Sequence, residues 1–106
     1  MLEIIGKEMR ARLAKVEKGA ISRVLFGGLV IVLERKGELW RLAIGRIKTP
    51  PSQTEAATVA RDFGLPPGVE WSWIIKRKKK LTYQVAECTW IEREKVGGGN
   101  EDNRNM

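Results

Sequence analysis

Histidine is absent from this 106-residue chain, and cysteine occurs once, at Cys88. The first absence excludes Ser-His-Asp and Cys-His machinery, the two together exclude a Cys/His zinc site, and one thiol forms no disulfide within the chain. Long apolar runs are missing too. The longest, Val24 to Leu33, is broken by Gly27-Gly28 and falls far short of the roughly 18 residues a membrane span needs. The first residues carry Glu3 and Glu8 and lack the layout of a secretory leader. We therefore expect a cytoplasmic protein with no membrane span. A chain with a single cysteine suits a reducing interior.

Acidic residues are the minority, 13 against 20 Lys and Arg, for a net charge of +7. Hydrophobic residues make up 42%, enough to build a core for one domain of this length. The expected organisation is a single domain over 1–96 followed by a flexible tail over 97–106, where no apolar residue precedes Met106.

Leu2, Ile5, Met9, Leu13 and Val16 recur at spacings of three and four, which predicts an amphipathic helix from Leu2 to Lys18 with Gly19 as its stop. Its basic residues resemble those of a membrane-surface helix in composition, but Glu3, Glu8 and Glu17 dilute them and covering a sheet is the expected task. Ala20 to Gly28 fits a helical extension or a strand. Leu29–Leu33 is a short β-branched run and Leu39–Ile47 alternates, so the pair reads as a hairpin turning at Lys36-Gly37. A two-residue loop there sets Leu33 opposite Trp40, Ile31 opposite Leu42 and Leu29 opposite Ile44. All six share one side, and Val30, Val32, Arg41 and Ala43 take the other.

Pro50-Pro51 ends that strand, Ser52 and Glu55 have the spacing of a capping box, and Gly64-Leu65-Pro66 closes a second helix. Ala56, Val59, Ala60 and Phe63 form its narrow apolar face. Val69–Lys76 and Leu81–Ile91 read as a second hairpin joined by a basic bend. The expected fold is thus α+β: two hairpins forming a four-stranded, mainly antiparallel sheet with helices packed on it, in the order α-ββ-α-ββ. Trp40, Leu42, Ile44, Val59 and Phe63 are the expected core.

No catalytic constellation emerges. Glu87 and Cys88 are adjacent on a strand and point to opposite faces, and Cys88 reads as a small buried hydrophobe. Gly27-Gly28 and Gly97–Gly99 lack the strand-to-helix setting and the Lys-Ser/Thr ending of a phosphate loop. The expectation is a non-enzymatic protein without cofactor or metal.

Charge is more informative. Segments 1–28, 29–48 and 69–96 each carry +3, whereas 49–68 and 97–106 each carry −1. Lys76, Arg77, Lys78, Lys79 and Lys80 are five consecutive cations, an arrangement that repels itself in an isolated fold and suits a phosphate backbone. Trp71 and Trp73 precede the run and Tyr83 follows it. Two indoles sharing a strand face beside cations suit base stacking on a single strand. The expected binding set is these eight residues with Arg41 and Arg46 of the first hairpin. Two bland readings stand beside it: lysines that keep an edge strand from pairing, and tryptophans that are simply core. The leading expectation is a nucleic-acid-binding domain, single-stranded DNA or RNA before duplex. The alternative is a protein-interaction module whose basic patch docks on an acidic protein surface.

Overall fold

The computed structural model describes residues 2–25 and 27–92. The tail expected over 97–106 lies outside the described residues. Two helices, α1 (Leu2–Ala14) and α2 (Gln53–Asp62), accompany five strands: β1 (Lys18–Val24), β2 (Val30–Lys36), β3 (Leu39–Arg46), β4 (Ser72–Lys78) and β5 (Leu81–Ile91). The sheet order is β1-β2-β3-β5-β4, and every neighbouring pair is antiparallel. The α+β class therefore stands, but the sheet has five strands rather than four and the chain order is α-βββ-α-ββ.

The extra strand is β1, the stretch that the sequence left open between helix and strand. Ile21 and Val24 are three apart, as on a helix, yet here they lie on opposite faces of the sheet. Ile21 pairs with Leu33 and packs on the core, whereas Val24 pairs with Val30 on the other face. The helix before it is correspondingly shorter than the predicted 2–18. It ends at Ala14, and Gly19 lies inside β1 rather than at a helix stop. A Cβ on Gly19 would come 3.1 Å from Leu13 and 3.3 Å from Val16, so the glycine lets the end of α1 approach the strand.

The β2–β3 hairpin turns at Gly37-Glu38, one residue later than expected, with Lys36 opposite Leu39 and Gly37 at φ +63°. A glycine with positive φ in the first loop position is the signature of a tight hairpin turn. The later turn changes the partners: Leu33 faces Leu42 and Ile31 faces Ile44. It moves the pairing by two positions, an even number, so no side chain changes face.

The helix α2 forms as its sequence predicts. Ser52 Oγ accepts from the Glu55 N–H at 3.0 Å, and Glu55 Oε1 accepts from the Ser52 N–H at 2.9 Å. At the other end Gly64, with φ +67°, donates to Arg61 O while Leu65 donates to Ala60 O. That double closure satisfies carbonyls the helix leaves unpaired.

Both helices cover one face of the sheet. Met9 and Leu13 from α1, with Ala56, Val59 and Phe63 from beside and within α2, meet Ile31, Leu33, Trp40, Leu42, Ile44, Ala86, Cys88 and Trp90 in one cluster. All five expected core residues are in it. Two arginines close the helix ends. Arg35 donates to Leu13 O and Ala14 O of α1, and Arg10 donates to Phe63 O and Gly64 O beyond α2. Cations there complement the negative end of the helix dipole. The opposite face of the sheet carries no helix among the described residues.

Candidate functional site

The strand β3 stops at Arg46, opposite Gln84 of β5, which in turn faces Ile75 of β4. Beyond that row the β4–β5 hairpin continues alone: Lys76 pairs with Tyr83, Arg77 with Thr82 and Lys78 with Leu81. This two-stranded arm extends about 10 Å past the five-stranded body, at about 3.3 Å per residue. Every residue from Lys76 to Thr82 is exposed. The arm contains all five cations of the run and no acidic residue.

Lys79 and Lys80 make the turn, with φ of +51° and +68°. Two consecutive positive values are what a two-residue hairpin turn requires, and Asn-Gly is the usual solution. Lysine in this region is strained. The tip thus holds two charges in a backbone conformation that local preference disfavours.

Ion pairing divides the cations. Lys76 Nζ lies 3.4 Å from Glu87 Oε2. Among the described residues, Arg77, Lys78, Lys79 and Lys80 have no acidic group within ion-pair distance. Arg41 is engaged on both sides, with Glu34 at 2.7 Å and Glu87 at 2.8 Å. Burial acts to raise the Glu87 pKa, but the hydrogen bond and charge of Arg41, with Lys76 beyond, hold it below the usual carboxylate range. Arg46 grips both oxygens of Glu55, and that hydrogen bond, with those from Ser52, lowers the Glu55 carboxyl to about 2.

Seven of the ten expected site residues lie on strands and divide between two faces, whereas Lys79 and Lys80 form the turn and Trp71 precedes β4. Lys76, Lys78, Tyr83 and Arg41 lie on the uncovered face. Trp73, Arg77 and Arg46 lie on the helix side, as alternation along the paired strands dictates. Trp71 precedes β4, is half-buried and packs against the core. Trp73 is 43% exposed, but its indole N–H donates to Pro51 O at 2.8 Å, tying it to the start of α2. The two indoles flank a groove against Ala56, Ala57 and Ala60, away from the lysines of the opposite face.

Cys88 is buried, and desolvation pushes its thiol up to about 12, so it is not a thiolate nucleophile at neutral pH. Among the described residues no group of three acidic or thiol side chains is arranged to hold a metal, and no helix is long and apolar enough to cross a membrane. Comparison with protein-family models, curated proteins and solved structures returns no match.

Sequence reasoning missed the roles of Arg10 and Arg35 as helix closures and the conformation of Lys79-Lys80. It also missed that one face of the sheet carries no helix among the described residues. Alternation did signal that face: Val30, Val32 and Ala43 occupy outward positions where polar residues are usual.

Proposed function

We propose that the chain is a non-enzymatic nucleic-acid-binding domain that grips the phosphate backbone with its β4–β5 arm. The observation that carries this reading is the arm itself: five cations on an exposed ribbon beyond the sheet, four of them without an acidic partner among the described residues. Arg77, Lys78, Lys79 and Lys80 are the phosphate contacts. Strained lysines at a hairpin tip support it further, since unfavourable backbone geometry is commonly retained where it serves binding. Arg41 and Arg46 leave the phosphate-contact set, because each is neutralised by carboxylates. A single strand is preferred to duplex, with base contacts on the uncovered face beside Tyr83 rather than on Trp71 and Trp73.

A second reading has one observation of its own. Val24, Val30, Val85 and Ile74 form an apolar row across the uncovered face, which with the basic arm suits an acidic protein partner.

Titration of mixed-sequence single-stranded DNA at several salt concentrations separates the two. Wild-type protein binds, and changing Lys78, Lys79 and Lys80 together to Gln reduces the log–log salt slope by roughly 0.7 per lost phosphate contact. No binding at about 50 mM salt removes the nucleic-acid reading. Binding with an unchanged slope in the triple variant moves the phosphate site off the arm.

A further inference from the structure

At the root of the arm, the uncovered face is concave. An open-sided depression of about 400 Å³ is lined by Val30, Val32, Ala43 and Val85, with Arg41 towards one end and Tyr83, Lys76 and Lys78 towards the other. Its depth comes from Gly45, which sits between Val30 and Val85 in the register and contributes no side chain. A Cβ there would stand 3.2 Å from Val85 Cγ2. Ala43 in the neighbouring row is the next smallest side chain.

We infer that this depression receives one nucleotide unit, its base on the valine floor and its phosphate towards Lys78 at the mouth. The inference rests on the nucleic-acid reading and deepens it. The volume falls within the range of small-ligand sites, and an apolar floor suits the flat face of a base. Tyr83 and Arg41 are both groups that stack on bases. Arg41 has a fixed guanidinium, because Glu34 and Glu87 hold its two terminal nitrogens. Those carboxylates are the only acidic groups facing the site among the described residues. Arg41 and Lys76 balance them, which leaves Lys78, at the mouth, with its charge available. The complementarity is therefore for a planar ring carrying an anionic group on one side, and a free nucleotide offers the same chemistry as a nucleotide within a strand.

The test uses three probes: a mixed-sequence single-stranded oligomer, an abasic oligomer of equal length and charge, and adenosine monophosphate. Wild-type protein binds the base-bearing oligomer about tenfold more tightly than the abasic one, which is the value of one well-stacked base. Ala43→Leu fills the depression and removes that preference while leaving affinity for the abasic oligomer and its salt slope unchanged. Should Ala43→Leu fail to fold, Tyr83→Ala on the exposed arm also loses the preference. Adenosine monophosphate binding to wild-type protein but not to Ala43→Leu identifies the free nucleotide as a second source. Equal affinity of wild-type protein for both oligomers overturns the inference and leaves the arm's phosphate binding standing. Mononucleotide binding without oligomer binding does the reverse. A preference that survives in both variants, or no binding of any probe, also overturns it.

Discussion

Trp40 of β3 and Trp90 of β5 stack with ring centroids 6.2 Å apart and planes within 10°. The Arg10 guanidinium lies over both rings, at 5.3 Å and 5.8 Å, and the Arg35 guanidinium is 5.3 Å from Trp40. The same two arginines close the C-termini of α2 and α1. This cluster therefore ties each helix end to the sheet through one side chain, with the charge resting on aromatic faces, backbone carbonyls and, for Arg10, the Glu92 carboxylate.

Trp40→Ala should destabilise the fold by about 3–5 kcal/mol, the range for removing a buried large aromatic. Arg10→Ala should cost about 1–3 kcal/mol by leaving the Phe63 and Gly64 carbonyls without their charged donor. Chemical denaturation of each variant measures both. A near-neutral Arg10→Ala would show that water closes α2 equally well.

Gly6→Ala should destabilise α1 packing even though alanine favours helix. The new Cβ would stand 2.8 Å from Asp62 O and 3.0 Å from the Phe63 ring, and neither backbone nor buried ring yields easily. A loss of about 1–3 kcal/mol is expected. A raised melting temperature would mean that the two helices separate without penalty.

Ser52→Ala should cost about 1 kcal/mol through the lost cap. The Glu55 carboxyl titrates at about 2 in the fold, against an ordinary value of 4.5. Its pKa is lowered on folding, so its contribution to stability is complete above 4.5 and is lost as pH falls towards 2. Glu87 acts in the same direction. Melting temperatures of Glu55→Gln followed from pH 6 to pH 2 should fall less steeply than those of the wild type. Parallel curves would mean that the Arg46 pair contributes nothing.

Replacing Lys79-Lys80 with Asn-Gly supplies the residues that positive φ prefers. The double variant should gain on the order of 1 kcal/mol in stability while binding single-stranded DNA more weakly and with a shallower salt slope. Greater stability with unchanged affinity would separate the strain from the binding role.

Much of this fold was legible because local rules act over few residues. The capping box at Ser52 and Glu55 and the stop at Gly64 formed as expected, and the alternation read over Leu39–Ile47 became β3, which ends one residue earlier at Arg46. The strand β1 was hidden because Ile21 and Val24 mimic helical spacing, and only pairing with β2 decides their faces. The late turn at Gly37-Glu38 escaped because a shift by an even number keeps every side chain on its face. For the candidate site, the cationic run was plain in the sequence. Its relation to the tryptophans was not, since alternation on β4 turns Trp73 away from Lys76 and Lys78. The depression was hidden as well, because it joins β2, β3, β4 and β5 across distances that no local pattern spans.

The strand order carries a consequence for how the chain is made. Among the described residues β5 is the last strand in sequence, but it lies inside the sheet, between β3 and β4. A growing chain that has released β4 but not β5 holds a three-stranded piece and a lone strand that has nothing to pair with. The exposed side of β3 stays open until Leu39 meets Ile91 and Arg46 meets Gln84. At about 5–20 residues per second, that interval lasts on the order of a second. Lysines, as on β4, are the residue type that discourages such an unpaired strand from joining a neighbouring chain before its own partner arrives.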